Sequence, residues 1–273
     1  MTATSPTTHA VRRAADSTAV QRLARGGFVC YGLVHLLLAW VALRVAFGRR
    51  AQEGDQRGAL QTLAQQPLGK ALVIVVVAGL VALAIWQGLA AAIGERGQRG
   101  RTVAVERVAS GCRVVVYLWL AWTGVLVVRG AGGSSAGRQE HATSRLLAAT
   151  GGRWLVGLVG LVVVGVGVGL FAYGASKRFE RHLNTGRMTA PVHGAIRRAG
   201  VAGYVAKGVA YAIAGVLVIA AAVTYDPDKA RGLDAALRTL AGQSWGPWLL
   251  GLVALGFAAF GAYCFAQARF RKV

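Results

Sequence analysis

Six apolar stretches dominate the chain, at residues 23–47, 69–93, 108–129, 153–175, 199–224 and 246–268, and none contains Asp or Glu. Each is about as long as the ~20 residues needed to cross a hydrocarbon core of about 30 Å. Peptide groups find no water there and must bond to one another, so each stretch predicts a helix. A β-barrel would need alternating segments of about ten residues, and the sequence has no such alternation. The expected fold class is all-α, a six-transmembrane-helix bundle.

The stretches also repeat in pairs, the first thing to test in any chain. The first, third and fifth open with GFVCYGLVHLL, SGCRVVVYLWL and GYVAKGVAYAI, which aligns His35 with Tyr117 and Tyr211, and Tyr31 with Arg113 and Lys207. The segments leading into the second, fourth and sixth read LAQQPLGKAL, LLAATGGRWL and LAGQSWGPWL. These align Leu63, Leu146 and Leu240, with Gly69, Gly152 and Gly246 six residues later. The two markers lie 28, 29 and 29 residues apart in the three copies. Each copy starts on the same side of the membrane, so the repeats are parallel and related by an axis along the membrane normal. Three parallel helical hairpins predict a pseudo-threefold arrangement. The division expected is a disordered tail over 1–19, repeat 1 over 20–95, repeat 2 over 104–175, a basic loop over 176–198 and repeat 3 over 199–273.

Three tandem two-helix units, each opening with a run of the GYVAKGVAY kind, resemble the actinobacterial membrane proteins grouped as the domain of unknown function 1206. The resemblance spans about residues 20 to 270 and is best in the third repeat. The first repeat departs from it with Tyr31 and His35, and the second has lost most of the glycines of that run. A preference for Arg over Lys, 26 to 5, fits a GC-rich genome of that kind. The resemblance implies a fold and a membrane location and carries no activity.

Composition agrees with immersion in lipid. Of 273 residues 55% are hydrophobic and 15% charged, against about 25% charged in soluble domains, and the mean hydropathy is +0.50. A net charge of +21 would suit nucleic acid, but the basic residues flank apolar stretches, where they direct topology. Nucleic acid is therefore excluded as a partner. The two tails and the loops on their side hold 17 Lys and Arg, and the opposite loops hold 8, with Arg44, Lys70, Arg129 and Arg153 at helix ends on that side. The positive-inside rule then puts both termini in the cytoplasm, in the cytoplasmic membrane. No cleavable signal peptide is expected, because a largely polar segment of over twenty residues precedes a first stretch too long for one. Cys30, Cys112 and Cys264 all fall within helices and read as small apolar side chains.

Few residues offer chemistry. Lys207 lies about eight residues, or roughly 12 Å, inside its helix, and its simplest role is to snorkel to phosphates. Arg113 reads the same way. Yet Tyr31/His35, Arg113/Tyr117 and Lys207/Tyr211 are i,i+4 pairs that each share one helix face. If the faces meet on the pseudo-axis they form a cationic cluster able to hold an anion or a head group; the alternative is packing glue between helices. In the basic loop, Lys177, Arg178, Arg181, Arg197 and Arg198 are candidates for anionic lipid. His182 and His193, read as part of a flexible loop, make no metal set, and neither metal nor cofactor is expected. The absence of membrane carboxylates counts against a proton- or cation-coupled carrier, and no nucleophile motif appears. Gln87 and Gln267 are placed to pair across the bundle, and Gly165–Gly169 suits close helix contact. The expectation is a non-enzymatic scaffold or accessory subunit binding lipids or a membrane-protein partner. A carrier or channel for a small anionic or neutral solute stays open, as does homo-oligomerisation.

Overall fold

A computed structural model describes residues 17–48, 54–93, 101–131 and 134–272. Six helices are long and apolar enough to cross a membrane. They are α1 (Thr18–Ala46), α3 (Gly69–Ile93), α4 (Arg101–Val128), α6 (Gly152–Ala175), α7 (Ala190–Thr224) and α9 (Gly246–Phe270). Before the second helix of each hairpin lies a short helix: α2 (Gln56–Ala64), α5 (Ser135–Ala148) and α8 (Gly232–Ala241). The expected tail 1–19 lies outside the described residues as far as residue 16; Ser17 then caps α1 by accepting from the Val20 amide.

One turn recurs three times and explains the sequence markers. The Gly69, Gly152 and Gly246 amides donate to Gln66, Ala149 and Gln243 carbonyls at 2.8, 2.9 and 2.8 Å. A side chain at these glycines would run into the carbonyls of Leu63, Leu146 and Ala241. The leucine–glycine spacing thus records a cap helix folded tightly onto the span that follows.

The spans neighbour one another in the order α4, α3, α1, α9, α7, α6. The series is open: α4 and α6, the two spans of the second hairpin, stand at its ends and do not pack on each other as the spans of the other hairpins do. Hairpins one and three close at a shared pair of positions. Gly79 lies against Cys30, and Gly256 lies against the equivalent Ala206. In the second hairpin the equivalents are Val162 and Cys112, and both are exposed. Valine at the contact keeps the backbones apart, where glycine lets them touch. Helix α6 instead packs on α7, with Gly160 against Gly215 and Gly167 against Gly208. Gly165 and Gly169, the expected contact motif, have nothing within 4 Å.

On the side away from the chain ends, the cap helices knit the repeats together. The Ser135 hydroxyl donates to Asp55 at 2.6 Å, and the Gly54 amide to Asp234 at 2.7 Å. Arg57, buried, donates to the Ala131 carbonyl at 2.9 Å. Arg231 meets Glu140 at 3.5 Å.

On the side of the chain ends, the segment expected as the flexible basic loop 176–198 is folded, and α7 already begins at Ala190. Phe179 and Leu183 are buried, and Gly200 leaves room for the Phe179 ring. The Asn184 amide donates to Phe270 at 2.7 Å, and the Lys272 amide to His182 at 3.0 Å. The apolar side chains at 179 and 183 bury themselves and carry the basic ones round the outside.

Glycine at position 256 is predicted to be essential to the third hairpin. Gly256→Val should lower unfolding stability by about 2–3 kcal/mol, read as a fall in unfolding temperature in detergent. Gly165→Ala, which points into open space, should change it by less than about 0.5 kcal/mol.

Candidate functional site

The inner faces of α1, α4 and α7 converge at Tyr31. Lys207, only 7% exposed, reaches across from α7 to α1. Its ammonium donates to the Tyr31 hydroxyl and to His35 Nε2, each at 3.2 Å. His35 Nδ1 lies 2.9 Å from the Tyr31 carbonyl. A carbonyl only accepts, so the Nδ1 proton belongs there and Nε2 is left to receive the amine. Below the amine lies the face of Phe260, 4.0 Å from Nζ to the ring centre. Phe260 comes from α9, and its ring also sits 4.6 Å from that of His35. A cation–π contact in a desolvated setting is worth about 2 kcal/mol, and here it stands where a carboxylate would otherwise be needed.

Lys207 therefore does not snorkel. It is turned inward, and its stem and head fill the junction of three helices. The i,i+4 spacing on α1 serves the same junction: one turn of helix brings the His35 ring onto the Tyr31 carbonyl while both rings face α7. Tyr117 joins from α4, its ring 5.2 Å from Tyr31 and roughly perpendicular to it. Two members of the expected six stay apart. Tyr211 lies further along α7, where its hydroxyl accepts from Gln56 of the cap helix α2 at 3.3 Å. Arg113 is half-buried on α4 and, among the described residues, forms no hydrogen bond or ion pair.

The aromatic surroundings were not legible as a site. Tyr204, Tyr263, Tyr173 and Phe179 form a second cluster beside the first, with Tyr204 5.1 Å from Phe260. Their signal in the sequence is only a scatter of aromatics in three separate segments. Arg271, just past α9, lies over Phe28 and Trp86 at 5.0 and 4.9 Å. Gln87 does not reach for Gln267 but donates to the Ser110 hydroxyl at 2.6 Å. Of the five basic candidates near residues 176–198, all are exposed; Arg197 meets Glu180 at 3.3 Å and Arg198 donates to Gly194. His182 bonds through Nδ1 to Tyr173, and His193 faces Glu180. Among the described residues no group of three His, Cys, Asp or Glu could hold a metal.

Comparison with known proteins matches this architecture repeat by repeat. A family model, Domain of Unknown Function (DUF1206), matches residues 26–94, 108–177 and 202–271, one copy per hairpin. The chain belongs to this family. A relative, the uncharacterized protein YxxB of Bacillus subtilis (strain 168), is 30% identical over 255 residues, or 93% of this chain and 92% of YxxB. That source leaves the actinobacterial restriction read from the sequence without support. No solved structure matches.

The lysine–histidine contact is predicted to be energetically coupled. Lys207→Met leaves two buried acceptors without a donor and should cost about 1–3 kcal/mol. His35→Leu takes an acceptor from a buried charge and should cost about 3 kcal/mol or more. The double substitution should cost less than the sum by at least about 1 kcal/mol; strict additivity in detergent unfolding would mean the two side chains act independently.

Proposed function

We propose that this DUF1206 protein is a non-catalytic scaffold or accessory subunit of the cytoplasmic membrane that holds lipids or another membrane protein against its spans. The observation carrying this reading is the disposition of the polar groups on the axis. Lys207, His35 and Tyr31 bond to one another and pack against Phe260 and Tyr117, which makes them a fastening between helices rather than the wall of a passage. The second hairpin meanwhile turns a broad apolar surface outward. Trp119 and Trp122 on α4, and Leu158, Val162 and Val166 on α6, are all at least half exposed.

Orientation follows from charge. The side of the chain ends also displays Lys177, Arg178, Arg181 and Arg187 at the surface, and positive loops are retained in the cytoplasm. Basic side chains there attract anionic head groups at about 1 kcal/mol each near the surface.

A cysteine placed at position 35, in a background lacking Cys30, Cys112 and Cys264, tests the reading. In sealed vesicles holding folded protein it should resist a small water-soluble thiol reagent. Rapid labelling would mean a wet axis and would favour a carrier for a small anionic or neutral solute.

A further inference from the structure

Helices α6 and α7 are held together by small residues, and the tight contact stops short of their ends on the side away from the chain termini. A Cβ at Gly160 would meet the Gly215 carbonyl at 3.0 Å and the Ile219 side chain at 2.7 Å, so the two backbones touch there. Nearer the start of α6, a Cβ at Gly157 would find nothing closer than the Ala222 Cβ at 3.9 Å. The helices part, and a groove of about 360 Å³ opens between them, lined by Gly157, Leu158 and Leu161 of α6 and by Ile219, Ala222 and Val223 of α7. Small-ligand sites run from about 300 to 1,000 Å³, so the groove has room for a length of alkyl chain. Leu161 stands nine residues into α6, roughly 13 Å along its axis. That is close to the depth of one leaflet in a hydrocarbon core about 30 Å thick.

The mouth of the groove is polar in one place. Arg153, in the first turn of α6, also lines it. Its guanidinium lies 5.4 Å from the ring centre of Trp154 and 5.3 Å from that of Tyr225, and one of its N–H groups donates to the Tyr225 hydroxyl at 3.3 Å. Tyr225 follows α7 in the left-handed region, φ 53, which a bulky side chain seldom adopts and which persists where the surroundings demand it. Among the described residues Arg153 has no carboxylate partner, and the Tyr225 hydroxyl still has its own proton to donate. Asp226, next in the chain, is engaged by Lys229 at 3.4 Å, and Asp228 is exposed. A guanidinium fork beside an O–H donor is the complement of a phosphate diester, which accepts through two free oxygens. Trp154 and Tyr225 are both exposed, as suits rings that sit at head-group level in a membrane.

We propose that the groove between α6 and α7 binds one phospholipid, its phosphate diester on the Arg153 guanidinium and the Tyr225 hydroxyl and one acyl chain laid over Gly157 towards Leu161. This site rests on the reading of the protein as a non-catalytic holder of lipid. It gives that reading a lipid class and a leaflet, the one away from the chain ends, and it is separate from the basic surface on the other side.

The test uses the full chain, delipidated in a sugar-headed detergent and given a trace of phosphatidylglycerol that carries a diazirine on one acyl chain. After illumination, adducts are mapped along α6 and α7 by mass spectrometry. They should fall at Leu158, Leu161 and Ile219. Unlabelled phosphatidylglycerol should compete them away at least about tenfold better than diacylglycerol with the same chains, as a charge-assisted phosphate contact requires. Arg153→Gln should abolish that preference, and Arg198→Gln, on the side of the chain ends, should leave it unchanged. Gly157→Leu, which fills the groove, should remove the adducts with Arg153 in place. Because Arg153 is exposed, its variant keeps the test decisive even where Gly157→Leu fails to fold. Equal competition by the two lipids, or an undiminished preference in Arg153→Gln, overturns the site. So does a dimer with no lipid adduct in the groove, which would assign the groove to a second copy of the chain. Cysteine labelling at position 35 separates the two ideas. A dry axis with equal competition removes the groove site alone, and a wet axis removes the scaffold reading.

Discussion

Helices in hydrocarbon gain nothing by hiding apolar side chains from one another, because the solvent is equally apolar. What holds them is contact between backbones, and contact requires residues without side chains. In this bundle the requirement is met at Gly79 and Gly256 within hairpins, and at Gly160, Gly167, Gly208 and Gly215 between them. The placement of these glycines decides which seams close. Where two repeats keep glycine the second has Val162, which is exposed, and its two spans do not close on each other.

Where the seams close, the axis is fastened by a contact of another kind. A buried ammonium is costly in any low-dielectric setting, and Lys207 is kept by four small gains acting together: a phenol, an imidazole, and the faces of Phe260 and Tyr31. Each comes from a neighbour already fixed by helix packing, so no side chain has to be ordered for the purpose. The imidazole is in turn aimed by its own helix, through the Tyr31 carbonyl. The junction joins α1, α7 and α9, and Tyr117 extends it to α4.

The six spans, the three repeats and their direction were legible in the sequence because lipid imposes length and periodicity on every segment that crosses it. The Leu63–Gly69 spacing was legible too, though its cause, a side chain colliding with a carbonyl, belongs to the folded turn. The fate of Lys207 was not, since snorkelling and inward bonding demand the same residue at the same depth and differ only in which neighbour arrives. Tyr211 shared its face by count, yet the cap helix α2 captured its hydroxyl; these caps are short, polar and half-exposed, and their pattern is weak. Asp55 and Ser134, both N-caps, were the signal for two of them. The folding of residues 176–198 hid behind their charge: Phe179 and Leu183 are two apolar positions among many basic ones.

The cap helices have a mechanical meaning. Ties from α5 to both neighbouring repeats, at Ser135 and Glu140, anchor one end of the open hairpin, while its other end rests on α3, α7, the Tyr117–Tyr31 contact and the Tyr173–His182 bond. The hairpin is then a lever with its fulcrum at the capped end. Over a membrane about 30 Å thick, a tilt of about 5° in one arm shifts the opposite end by roughly 2.6 Å. The travel therefore grows away from the ties at Ser135 and Glu140, towards the side of the chain ends.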